Sequence, residues 1–125
     1  MNALITGTSS GLGFSLAGTF KKNGYNVYGI SRSISDINIS QALCDFSNLD
    51  SIKPKLDNLL DVNDIDYVIL NAGILGKINL TSEISINEYY EIFNINCLSN
   101  KIILDFLLKN KNVKNVIAIS SGASL

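Results

Sequence analysis

The sequence predicts an α/β protein, a doubly wound parallel sheet with helices on both faces and the strand order 3-2-1-4-5. Three observations predict it. Short apolar, β-branched runs alternate with segments of helical periodicity, as successive βα units require. A glycine cluster, Gly7, Gly11 and Gly13, lies where the first apolar run gives way to the first helical segment. Hydrophobic residues make up 46% of the chain against 17% charged, which suits a sheet covered on two faces and not a solvated disordered chain.

Residues 2–6 form the first strand and run into the glycines; from Gly11 to Asn23, Leu12, Leu16 and Phe20 repeat at helical spacing, and Gly24 stops the helix. Residues 26–30 form the second strand, and 31–38 a polar connection rich in serine with Asp36. Residues 41–44 form a short third strand. Leu49, Ile52, Leu56 and Leu59 mark a helix that Pro54 should bend or restart. Residues 67–70, bounded by Asp64 and Asp66 before and Asn71-Ala72-Gly73 after, form a fourth strand buried on both faces.

A long helix spans about 87–109. Ile92, Ile95, Leu98, Ile102 and Phe106 form one apolar stripe, and Ile103, Leu104, Leu107 and Leu108 a second, so one side can pack on the sheet and the other is left for a subunit interface. Residues 116–120 form the fifth strand.

The 125 residues are expected to form one domain, 1–125. A net charge of −1 with a pI near 5.2 leaves no basic excess for a nucleic-acid backbone. No apolar run reaches membrane-spanning length and the first residues lack a basic leader, so the expectation is a cytoplasmic protein without membrane or nucleic-acid partners. Cys44 and Cys97 stand far apart without a CxxC pattern and are expected to be buried packing residues. The chain has no histidine, which removes hydrolase chemistry of the Ser-His-Asp kind and the usual zinc sites.

In Thr6-Gly7-Thr8-Ser9-Ser10-Gly11-Leu12-Gly13, the strand-turn-helix context turns a glycine-rich loop into a phosphate cradle: the backbone can turn tightly, and the helix N-terminus presents N–H groups to a pyrophosphate. The spacing is GxxxGxG, and this stretch resembles the cofactor motif of the short-chain dehydrogenase/reductase family. Asn71-Ala72-Gly73 resembles the family's NAG motif, and Asp45 its acidic residue at the adenine ring. Asn96, with Tyr89 ahead of it, corresponds to the asparagine of the catalytic tetrad, which helps to hold a proton-relay water. Ser121 matches the catalytic serine that hydrogen-bonds the substrate oxygen, with Ser120 as its neighbouring alternative. The resemblance covers essentially the whole chain and implies a Rossmann-fold carbonyl or alcohol oxidoreductase.

The resemblance further implies a dinucleotide cofactor in contact with Gly7, Ser9, Gly11, Leu12, Gly13, Arg32, Asp45, Asn71, Ala72 and Gly73. After the second strand stand Ser31 and Arg32, the only arginine of the chain, and a guanidinium there suits a 2′-phosphate, so NADP(H) is favoured over NAD(H). The basic residue that family members add inside the glycine motif is replaced by Ser10.

Family members carry a Tyr-x-x-x-Lys motif after the serine. Four positions after the five tyrosines of this chain stand Gly29, Arg32, Asn71, Phe93 and Asn94, none a lysine. The expectation is therefore a truncated Rossmann sheet, poorly active or inactive alone, that self-associates through the 87–109 helix or an exposed 116–120 edge strand. Completion by a separate polypeptide, or a non-catalytic dinucleotide-binding or protein-interaction module, are the alternatives.

Overall fold

A computed structural model of the chain describes residues 1–73 and 81–120. Within them, five strands form one parallel sheet in the order β3-β2-β1-β4-β5, as the sequence predicts. The central strand β1 (Asn2–Thr6) pairs on one side with β2 (Asn26–Ser31), beyond which lies β3 (Ser40–Leu43). On its other side it pairs with β4 (Asp64–Leu70), beyond which lies β5 (Asn112–Ala118). Parallel neighbours need crossovers, and helices supply them: α1 (Gly11–Lys22), α2 (Ile52–Leu59) and a long helical run before β5. The winding reverses between β1 and β4, so the chain leaves their C-terminal ends in opposite directions and opens a crevice there.

Alternation along the strands divides the core. Leu4, Ile30 and Val68 face α2 and the long helix, where they meet Ile52, Leu56, Ile103 and Leu107. Ile5, Val27 and Ile69 face α1 and meet Ala17, with Leu16 and Phe20 at the margin. Each fully buried aliphatic side chain of this kind contributes about 1.5–3 kcal/mol. The predicted break at Pro54 takes the form of a change of helix type. A 3-10 turn, Leu49–Ser51, gives way to α2, and Pro54 falls in the first turn, where a backbone N–H would have no helical partner.

β2 and β3 (expected at 26–30 and 41–44) differ from the expectation by one residue at one end or both, and two strands differ by more. β4 begins at Asp64, not at Tyr67, and β5 spans Asn112–Ala118, not 116–120. Polar side chains hold the extra length together: Asn112 donates through Nδ2 to Asp64 Oδ1 (2.8 Å), and Asn115 donates through Nδ2 to the Asp66 carbonyl (2.9 Å). A search for apolar runs is blind to such a ladder. Asp66 belongs to it as well, accepting from the Asn2 backbone N–H (2.8 Å) and from Lys114 Nζ (3.2 Å). The Asn2 hydrogen bond, and after it Lys114, holds this carboxyl below the usual aspartate range. Its folded pKa is thus depressed, so its stabilisation is present above the unfolded value of about 3.9 and is lost as pH falls through the folded value. Urea midpoints measured across that acid range should fall less steeply for Asp66→Asn than for the parent chain; equal slopes would show that the carboxylate carries none of the acid sensitivity.

The long helix comprises α3 (Ile86–Phe93), a π-helical turn Asn94–Leu98, and α4 (Ser99–Asn110). Ser85 starts it by accepting the Glu88 N–H at Oγ (3.2 Å). The π turn inserts a residue and rephases α4, so the buried side takes Ile95 and Phe106 from one predicted stripe, Ile103 and Leu107 from the other, and Ser99 from neither. Ile92, Leu98, Ile102 and Leu104 are half-buried, and Leu108 is exposed. Exposed apolar surface concentrates instead near the start, at Ile86, Tyr89, Tyr90 and Phe93. Cys44 is buried, and burial pushes its thiol pKa up. Cys97, expected to be buried, is exposed, because it lies on the outer side of the π turn.

Candidate active site

The crevice at the C-terminal ends of β1, β2 and β4 is a cleft of about 180 Å³, open to solvent. Its floor is the glycine loop between β1 and α1. Gly7 has φ +75°, a left-handed conformation, and its N–H donates to the Ile30 carbonyl (2.8 Å), which ties the loop to β2. Gly13, in the first turn of α1, packs directly beneath: a Cβ there would overlap the Gly7 carbonyl oxygen and lie 2.5 Å from Asn71 Nδ2. Helix and strand approach this closely only with glycine at that position.

Asn71, Ala72 and Gly73 form the wall after β4, and Thr6 holds them. The Thr6 hydroxyl, fully buried, accepts both the Asn71 N–H (2.9 Å) and the Ala72 N–H (2.8 Å). Asn71 Nδ2 in turn donates to the carbonyls of Thr6 (3.2 Å) and Gly7 (3.3 Å). The glycine loop and the NAG segment are therefore one hydrogen-bonded unit.

Arg32 follows β2 on the far wall, and Asp45 follows β3. Asp45 Oδ1 accepts from Ser47 Oγ (2.6 Å) and from the Ser47 N–H (3.0 Å), and these bonds, with help from Arg32, hold its carboxyl below the usual range. It is thus ionised across neutral pH, with Oδ1 engaged. α1 meets the crevice with no acidic residue in its first turn and no side chain capping its N–H groups, an arrangement suited to an anion.

Of the residues singled out from sequence, Gly7, Ser9, Arg32, Asp45, Asn71, Ala72 and Gly73 line this one cleft. Gly11, Leu12 and Gly13 do not line it: Leu12 is exposed, Gly11 takes φ +59° facing open space, and Gly13 supports the loop from below. Asn96, in the π turn, sits beside the cleft, its Oδ1 3.2 Å from the place a Gly73 Cβ would occupy. Ser121 lies outside the described residues, and Ser120 is exposed beyond the end of β5. Sequence reasoning missed Ser10, Ser31, Phe46, Glu91 and Ile95 as lining residues. Phe46 directly follows Asp45, and Glu91 precedes Ile95 by one helical turn, so both signals were available. No group of side chains among the described residues could hold a metal ion, and no helix among them is long and apolar enough to cross a membrane.

The family model described as short chain dehydrogenase matches residues 1–125. The chain belongs to the short-chain dehydrogenase family. Among curated relatives of that family, the chain is 28% identical to benzil reductase ((S)-benzoin forming) of Bacillus subtilis strain 168, over 97% of this chain and 55% of the relative. It is 33% identical to the 3-oxoacyl-acyl-carrier-protein reductase FabG of Chlamydia trachomatis, over 75% of this chain and 43% of that protein. The chain thus spans about half the length of the curated relatives it matches. Ligand-free aldohexose dehydrogenase of Thermoplasma acidophilum superposes with a TM-score of 0.86 at 23% identity, over 96% of this chain and 49% of that one. A short-chain dehydrogenase family protein of Francisella tularensis gives 0.85 at 24%, over 96% and 50%. At such identities these likenesses establish the shared fold.

Proposed function

We propose that these residues form the cofactor-binding part of an NADP(H)-dependent carbonyl or alcohol oxidoreductase. The single observation that carries the reading is the union of a glycine loop too tightly packed at Gly13 for any side chain with an uncapped helix N-terminus, at the point where the sheet reverses its winding. Backbone N–H groups at Ser9, Ser10 and the start of α1 would hold the pyrophosphate. Phe46 and Ile95 would offer apolar walls to the adenine, and the ionised Asp45 an acceptor for its amino group. Asn71, Ala72 and Gly73, pinned by Thr6, would border the nicotinamide half. A bound nicotinamide cofactor supplies or accepts the hydride at the substrate carbon.

Asn96 would position water for proton relay, and Ser121 would hydrogen-bond the substrate oxygen. The tyrosine that resembling proteins use as proton donor has no counterpart with a lysine four residues on among these 125. A positioned acid contributes about a hundred- to ten-thousand-fold. The 125 residues taken alone should therefore bind cofactor and reduce carbonyls slowly at best. The exposed Ile86, Tyr90 and Phe93 of α3, and Val116 and Ile117 of β5, support self-association, which a mass measurement in solution tests.

Arg32 supports NADP(H), since its guanidinium lines the same cleft and would pair with a 2′-phosphate. Calorimetric titration should give tighter binding of NADPH than of NADH. Arg32→Ala should weaken NADPH about tenfold or more while leaving NADH nearly unchanged, because a hydrogen bond to a charged group contributes about 1.5–3 kcal/mol. Equal affinity for the two nucleotides, or equal losses in the variant, would refute the preference; no binding of either by the folded chain would refute the cofactor assignment.

A further inference from the structure

Thr8, in the middle of the glycine loop, points away from the cleft and is fully buried. The place its side chain occupies exists because residue 29 of β2 is glycine. A Cβ at Gly29 would lie 2.5 Å from Thr8 Oγ1, 3.1 Å from Thr8 Cγ2 and 3.0 Å from Ile39 Cδ1. Both branch atoms of Thr8 lie against the gap, threonine is restricted at χ1, and Ile39 closes the other side, so an added methyl pushes on the loop as well as on a side chain. The Thr8 hydroxyl has no hydrogen-bond partner among the described residues, so the side chain acts there by shape and not by polarity. One residue further along β2, the Ile30 carbonyl accepts the Gly7 N–H. The end of β2 is thus a platform that meets the loop twice, through a backbone hydrogen bond and through a side chain seated in a glycine gap.

The geometry points to Thr8 and Gly29 as a matched pair of positioning residues that set the height of the cofactor loop above the sheet. Thr8 is flanked by Gly7 and Ser9, both walls of the cleft, so lifting Thr8 displaces both. The inference rests on the cofactor reading of that cleft for its functional consequence, though the seat itself does not.

The test is an exchange of the knob and the hole in the 125-residue chain, read by NADPH titration, by urea unfolding and by hydrogen exchange at the amides of residues 7–13. Gly29→Ala should weaken NADPH about tenfold, as displacement of a preorganised site by about an ångström does, and should speed exchange at those amides. Thr8→Ala/Gly29→Ala, which moves the methyl from loop to strand, should recover most of the affinity and of the protection. Thr8→Val, which keeps the branched shape, should bind as the parent does and be no less stable. A folded Gly29→Ala with parental affinity and exchange would overturn the proposal. So would a double variant no better than Gly29→Ala. If Gly29→Ala does not fold, refolding of the double variant supports the pair, and failure of both overturns it. If the parent binds no nucleotide, the cofactor reading fails, and exchange at residues 7–13 decides the seat by the same comparison.

Discussion

Among the described glycines, Gly13→Ala should be the most damaging addition of a single methyl. Its Cβ would overlap the carbonyl oxygen of Gly7, 2.8 Å from the carbonyl carbon and 2.5 Å from Asn71 Nδ2. The obstacle is largely backbone, and no rotamer change removes it. Relief would require α1 to move off the strand or Asn71 to release the Gly7 carbonyl, which breaks the unit joining the glycine loop to the NAG segment. Overpacking a close-packed site costs about 1–3 kcal/mol and sometimes more, and a clash with backbone belongs at or above the top of that range. Urea unfolding should show a loss of about 3 kcal/mol or more, with nucleotide binding abolished. Gly18→Ala provides the contrast. It lies in the interior of the same helix, the nearest atom to its Cβ position is 3.8 Å away, and the substitution should stabilise by about 0.5–1 kcal/mol. Equal effects at the two positions would contradict the packing argument.

Thr6→Val should be nearly as costly for a different reason. Valine fills the same space but removes the one oxygen that accepts the Asn71 and Ala72 N–H groups at 2.9 and 2.8 Å. Each buried donor left without an acceptor costs about 1–3 kcal/mol, so a total of about 2–6 kcal/mol is expected. The wall formed by Ala72 and Gly73 should loosen with it. Thr6→Ser, which keeps the hydroxyl, should retain most of the stability. Urea midpoints and NADPH affinity for the two variants check this: a valine variant as stable as the serine one would show that the hydroxyl does not hold the NAG segment.

Much of the cleft is legible in the sequence because its parts are local motifs. The glycine loop comes within one turn of its strand, Asn71-Ala72-Gly73 comes after the fourth strand, and Arg32 and Asp45 come after the second and third. In a parallel sheet all C-terminal ends point the same way, so residues that end different strands converge without being neighbours in sequence. Thr6 reads from sequence as the last residue of a strand and the first of the glycine motif, and its part in holding residues more than sixty positions away comes from the hydrogen bonds. Gly29 is likewise silent, since a lone glycine in a strand identifies a gap without identifying what fills it. The predicted helix stripes are misphased because the π turn at Asn94–Leu98 breaks the 3.6-residue period on which such stripes depend.

The sequence by itself determined the order of elements, the sheet topology and the family, because periodicity, turn residues and a glycine loop between strand and helix are properties of short segments. Tertiary structure alone decided what supports the loop, Thr6 beneath the NAG segment and Thr8 in the Gly29 gap, and what lengthens β4 and β5, the Asn112 and Asn115 ladder at their opposite ends. Those are contacts between distant parts of the chain, and a buried hydroxyl or a missing Cβ has meaning only once its neighbour is in place.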